Sequence, residues 1–200
     1  ITVLVDMLGF GIIIPVLPKL VTSMYGSGIS EGSYIFGWFV ATYALMQFVF
    51  SPLLGNLSDT FGRRPIILIS FVGTGLDYFL MAFAPSLAWL FVGRIISGIA
   101  GANFTAANAY IADVSAPEQR AKNFGLIGAC FGIGFILGPA LGGALGYFGL
   151  RTPFLAAGIL TLCNALYGFF VLPESHPKEL RRRFQWSSAN PFATLKVLGR

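Results

Sequence analysis

The sequence predicts an all-α membrane protein, built as a bundle of six transmembrane helices. Three observations lead there. Apolar residues make up 56% of the 200-residue chain and charged residues only 10%, against roughly 45–50% and about 25% in soluble domains. With a mean hydropathy of +0.77, such a chain cannot cover its surface with polar groups, and its surroundings are expected to be lipid. Six runs approach the ~20 apolar residues that cross a bilayer, and the basic residues fall almost entirely on one side of them.

The runs cover 1–20, 33–55, 65–84, 88–112, 122–146 and 153–172. In the first, Asp6 is followed by Gly9, Gly11, Pro15 and Pro18, so this helix is expected to be kinked or locally loosened. The second runs into GNLSDTFGRRP at 55–65, a polar knot in which Asp59, Arg63 and Arg64 stand between Gly55, Gly62 and Pro65. Pro65 can open the third helix and Pro85 closes it. Ser115-Ala-Pro-Glu118 fits a capping box leading into the fifth. That helix carries Gly134, Gly138, Gly142 and Gly146 at four-residue spacing, with Gly128 and Gly132 before them. One face is thereby small enough for another helix to approach closely. Pro139 removes a backbone donor beside Gly138, so tight packing and a bend that permits motion are both open. Thr152 caps and Pro153 opens the sixth helix.

Of the thirteen Lys and Arg, Arg63, Arg64, Arg120, Lys122, Lys178, Arg181, Arg182, Arg183, Lys196 and Arg200 share one side; only Lys19 and Arg151 lie on the other, and Arg94 is within a span. The positive-inside rule places the ten in the cytoplasm, with both ends of the chain. The composition changes after 172, so the chain divides into a membrane bundle, 1–172, and a cytoplasmic linker, 173–200. The linker holds the Arg181–Arg183 run, read as topology signal and lipid-surface attraction, and a short amphipathic helix starting at Asn190-Pro191. Without an initiator Met, and opening inside an apolar run, the chain is expected to be a piece of a longer protein.

Charges within spans are costly and mark interiors or aqueous cavities. Asp77 and Arg94 fall at similar depth in adjacent helices, which allows a pair, either structural or functional. Asp6 has no cationic partner in its own helix and is a candidate for proton or cationic-substrate handling; a structural hydrogen bond is the alternative. Gln47, Asn103, Asn108 and Asn164 can line a cavity or bond a neighbouring helix. Phe36, Trp38, Phe39 and Trp89, near helix ends, fit interfacial belts. One His and two separated Cys offer no credible metal set. No phosphate-binding glycine loop or Ser/His/Asp constellation is present, so an enzyme is not expected. Cys130 and Cys163 lie in apolar runs and read as small buried hydrophobes.

Gly55, Asp59, Gly62, Arg63 and Arg64 resemble the G-x-x-x-D-[RK]-x-G-R-[RK] signature between helices two and three of the major facilitator superfamily, with Thr60 where a basic residue is common. GRIISGIAGA around Arg94 resembles the fourth-helix motif, with Ser97 where Gln is frequent. Gly134, Gly138, Pro139, Gly142 and Gly143 match the fifth-helix pattern of drug–proton antiporters. DMLGFGIIIPVLP, LDYFLMAF and YIADVSAPEQRAKNFG are similar to twelve-helix antiporters of the tetracycline-resistance type.

The resemblance covers the whole chain as the N-terminal half of such a carrier, and it implies a 3+3 inverted repeat. It implies a cytoplasmic latch in which Asp59 caps a neighbouring helix end, Arg63 pairs with Asp113, and the outward-facing state is held. It implies proton-coupled efflux of a hydrophobic drug, with a proton as coupling ion and no other cofactor. Asp6, Asp77, Arg94, Gln47, Asn103 and Asn108 become candidates for proton and substrate handling. The expected partners are a small hydrophobic drug or metabolite, protons, the lipid bilayer and a missing C-terminal six-helix bundle, with no nucleic acid; the expected location is a bacterial inner membrane. A metabolite carrier and a non-transporting scaffold or receptor are the alternatives.

Overall fold

The computed structural model describes residues 1–26, 29–186 and 189–191. Six helical segments in it are long and apolar enough to span a membrane, and two of the six are interrupted. The first comprises α1 (Thr2–Ile13) and α2 (Leu17–Tyr25); the second is α3 (Ile29–Phe61) and the third α4 (Arg63–Phe83). The fourth comprises α5 (Leu87–Gly101) and α6 (Phe104–Val114), the fifth is α7 (Arg120–Gly146) and the sixth α8 (Thr152–Val171).

The expected weakness of the first span is a clean break. Pro15 cannot donate and its ring crowds the preceding turn. Residues 14–16 therefore close through short-range bonds, Ile14 N–H to Gly11 O and Val16 N–H to Ile13 O. Pro18 then stands in the first turn of α2, where a missing donor costs nothing. The fourth span, expected as one helix over 88–112, is also broken, at Ala102–Asn103, and this break contains no proline.

Other boundaries differ from expectation. The second span continues through Gly55 to Phe61, and α4 takes up Arg63 to Pro65, so all of the polar knot is helical except Gly62, which alone separates α3 from α4. With 33 residues, α3 is about 50 Å long against a hydrocarbon core of about 30 Å, and its polar last turns can be solvated outside the membrane. The expected capping box does not form. Pro117–Gln119 is a 3-10 turn, and Ser115 Oγ instead accepts a hydrogen bond from Asn123 Nδ2 at 2.7 Å. α4 starts at Arg63, two residues before Pro65, and Thr152 is the first residue of α8 with Arg151 in the cap position.

Spans one and five pack together, as do four and two; one packs on six, as four does on three; and three packs on six. Exchanging spans one to three with four to six leaves this pairing unchanged, and both repeats begin with the broken helix. That is the 3+3 organisation. Ile69, Leu76 and Phe83 of α4 and Leu166 and Phe170 of α8 face outward, as a lipid-facing surface does. Phe39 does not belong to an interfacial belt: it is fully buried and lies against Phe91 with ring centroids 4.0 Å apart. Trp38 and Trp89 are exposed. Cys163, expected in the interior, is also exposed.

Candidate functional site

Between the helices lies a cavity of about 370 Å³ whose wall is largely aromatic, with Phe10, Phe36, Phe39, Phe104 and Phe135. Its polar groups are few: Asp6, Tyr43, Thr74, Tyr78, Arg94, Ser97 and Asn103. An apolar hollow with sparse, placed polar groups is the usual form of a small-molecule site. Phe36, expected at an interface, belongs to this wall.

Asp77 and Arg94 do meet. Arg94 Nη2 lies 3.9 Å from Asp77 Oδ2, with the two residues 6% and 1% exposed. This is an ion pair at long range rather than a hydrogen bond. Arg94 also donates to Met81 Sδ at 2.8 Å and lies 5.8 Å from the centroid of the Tyr43 ring. Gly93 allows the arrangement, because a Cβ there would stand 2.7 Å from the Met81 side chain and 2.8 Å from Asp77 Oδ1. Neither Asp77 oxygen has a hydrogen-bond partner among the described residues.

Asp6 reaches the same cavity from α1 and has no hydrogen bond or ion pair among the described residues. Gln47 is tied down, its Nε2 donating to Gly101 O at 3.1 Å. Asn103 is buried on the cavity wall. Asn108 is exposed and does not reach the cavity. Asn164 donates to Thr2 O at 2.9 Å, a packing bond between the sixth and first spans.

The glycine ladder divides. Gly134, Gly138 and Gly142 are buried against α1, where added Cβ atoms would collide with Met7, Gly11 and Ile12. Gly128, Gly132, Gly143 and Gly146 have open space around the Cβ position. α7 remains a single helix across Pro139.

At the far end from the α1–α2 break lies the charged cluster. Arg63, at the start of α4, pairs with Asp59 on the last turn of α3, with Asp113 Oδ2 on α6 at 3.3 Å and with Ser58 Oγ at 2.6 Å. Asp59 caps no helix among those described; its carboxylate meets Arg63. Arg64 turns aside, bonding Phe169 O and lying over the Phe169 ring. Gly55 lies against Thr105.

The segment after α8 was expected as a linker, yet as far as Trp186 it doubles back and completes this cluster. Glu174 Oε1 accepts the Arg63 backbone N–H at 2.9 Å, occupying the start of α4, where an anion is favoured. Ser175 Oγ donates to Asp113 at 3.2 Å and His176 Nδ1 lies 3.9 Å from it. Arg181 pairs with Glu174 at 3.8 Å. Arg182 N–H donates to Asp59 O at 3.2 Å, and Asn56 Nδ2 to Gln185 O at 2.6 Å. Gly62, at φ +108°, is required twice over: its backbone is left-handed, and a Cβ would meet the Glu174 carboxylate. Only the LPES stretch, charged beside a proline just past the last span, signalled this role in the sequence. The helix expected after Asn190-Pro191 lies outside the described residues.

A bundle of six helices long and apolar enough to span a membrane, with a paired internal repeat, an apolar cavity holding an acidic and a basic side chain, and a charged cluster at one end, has the architecture of a membrane-transporter bundle. The chain belongs to the Major Facilitator Superfamily, which it matches over residues 1–200. It is 46% identical over 195 residues to the tetracycline resistance protein, class C, of Escherichia coli, covering 98% of this chain and 48% of that protein. It is 33% identical over 187 residues to multidrug resistance protein 2 of Bacillus subtilis (strain 168), covering 93% and 45%. The crystal structure of the human organic anion transporter MFSD10 (TETRAN) superposes with a TM-score of 0.85 at 29% identity, over 98% of this chain and 52% of that one. The chain thus spans about half the length of the relatives it matches.

Proposed function

We propose that this chain is one bundle of a proton-coupled exporter of hydrophobic drugs such as tetracycline, working by alternating access with a second six-helix bundle in a bacterial inner membrane. The observation that carries the reading is Asp6, an acid with no hydrogen bond or ion pair among the described residues, on the wall of a mostly apolar cavity that also presents Arg94. The tetracycline resistance protein at 46% identity supports the substrate class. In this reading the charged end faces the cytoplasm. Substrate enters there, and a proton taken up by Asp6 from outside accompanies its departure. Asp77 holds Arg94 in place. The Arg63 cluster closes the cytoplasmic side and opens as the bundles rock.

The test uses everted vesicles containing the full-length protein. Energised vesicles given tetracycline are expected to release protons as drug enters, and Asp6→Asn is expected to abolish the coupled release. Release that persists in Asp6→Asn moves the proton to another acid. No release with tetracycline or other drugs, from folded protein, overturns drug export. A second reading, export of an organic anion metabolite, is favoured by Arg94 on the cavity wall and by the likeness to an organic anion transporter.

A further inference from the structure

Asn103 sits where the fourth span is interrupted, and its side chain does none of the structural work expected there. An Asn before a helix ordinarily accepts a backbone N–H from the first turn. At the start of α6 no such bond forms. The interruption is closed by backbone bonds, Ala102 N–H to Ile99 O and Asn103 N–H to Ala100 O, each 3.2 Å. It is clamped from α3 by the Gln47 amide on Gly101 O at 3.1 Å. The Asn103 side chain is free of these duties. It is 4% exposed, lies on the cavity wall, and makes no hydrogen bond to a described residue.

The amide atoms of Asn103 are not among the buried polar atoms that lack a partner; they open onto the hollow, where water or a ligand meets them. An amide presents an acceptor and two donors side by side. The rest of the wall is largely apolar, with Phe104 next in the chain and Phe10 and Phe135 also lining the hollow. We propose that Asn103 is a specificity-determining residue of the cavity, selecting among apolar ring-bearing molecules those that carry a neutral donor beside an acceptor, such as an amide or a hydroxyl next to a carbonyl. The proposal rests on the cavity being the substrate site. A ligand lacking that edge leaves the amide unpaired, which is how a buried hydrogen-bonding site rejects analogues. Being uncharged, Asn103 reads this edge whatever the protonation state of Asp6.

The experiment measures binding to purified full-length protein of two probes. Tetracycline carries amide and hydroxy-ketone edges; tetraphenylphosphonium carries rings and no hydrogen-bonding group. The variants are Asn103→Leu, Asn103→Ala, which removes the amide without adding bulk, and Asn103→Gln, which restores it. Asn103→Leu and Asn103→Ala are expected to weaken tetracycline about tenfold and to leave tetraphenylphosphonium within about twofold, while Asn103→Gln recovers most of the loss. Melting temperatures are expected to match the wild type. If wild type binds only tetracycline, uptake kinetics replace the second probe: a raised KM at constant kcat supports the proposal and a fall in kcat alone overturns it. Equal weakening of both probes, unchanged tetracycline binding in the folded variants, or wild-type binding of tetraphenylphosphonium alone overturns the proposal and leaves the carrier reading standing. Wild-type binding of neither probe overturns both.

Discussion

Glu174, three residues past the end of α8, accepts the backbone N–H of Arg63 at 2.9 Å. The start of α4 is therefore held by a carboxylate 111 residues further along the chain, while the Arg63 side chain holds Asp59 and Asp113 from α3 and α6. Four segments meet on one residue. Arg63→Ala leaves the Asp59 and Asp113 carboxylates without the cation they share. It is expected to destabilise the full-length protein by about 1–3 kcal/mol, the range for an unpaired, partly buried polar group. Arg63→Ala with Asp113→Asn is expected to lose less than Arg63→Ala alone. Thermal unfolding of the single and double variants measures both. A loss in the double variant equal to the sum of the Arg63→Ala and Asp113→Asn losses would show that Asp113 is not coupled to Arg63.

The two kinds of glycine on α7 provide a paired test. At Gly138 a Cβ would stand against the Gly11 backbone, where nothing can yield; at Gly128 it meets nothing. Gly138→Ala is expected to cost about 1–3 kcal/mol by forcing α1 and α7 apart. Gly128→Ala is expected to be neutral or slightly stabilising, because alanine is the better helix former. Melting temperatures of the two variants decide it, and a neutral Gly138→Ala would mean the α1–α7 contact is looser than described.

Asp77 and Arg94 are expected to behave as a unit. Removing one partner of a buried pair costs about 3–5 kcal/mol, because the other charge is stranded. Arg94→Met and Asp77→Leu are each expected to approach that loss, and the double substitution to recover part of it. The check is a double-mutant cycle on stability in detergent. Additive losses would indicate that the 3.9 Å separation contributes no coupling.

Much of this was legible in the sequence, for identifiable reasons. Lipid admits only helices and closed barrels, and apolar runs of about twenty residues have the length of helices, so those runs alone located the six spans. Pro15 and Pro18 announced the first break because a missing donor is written in the residue type. The second break was not legible: Ala102 and Asn103 carry no such mark, and the interruption is clamped by Gln47 from 54 residues away. Asp77 and Arg94 were paired correctly from depth. Phe39 was misplaced because nearness to a helix end does not tell which face a ring takes, and Phe91 across the interface decides it. The return of Glu174, Ser175 and Arg181 to Arg63 was missed because it depends on long-range contacts in a segment without periodicity. The same limit left Asn108 among the cavity candidates, although its helix turns it outward.

The length of α3 has a mechanical consequence. From Tyr43 at the cavity to Asp59 in the charged cluster the helix runs sixteen residues, about 24 Å, without interruption. It is a lever with its fulcrum beside the hollow. A tilt of about 10° at the cavity sweeps the Asp59 end through about 4 Å, more than the reach of a hydrogen bond. A displacement at Tyr43 too small to notice as repacking is thus amplified into making or breaking the contacts of Arg63. In the proposed carrier this helix, continuous through Pro52, is the element that would carry occupancy of the hollow to the contacts of Arg63.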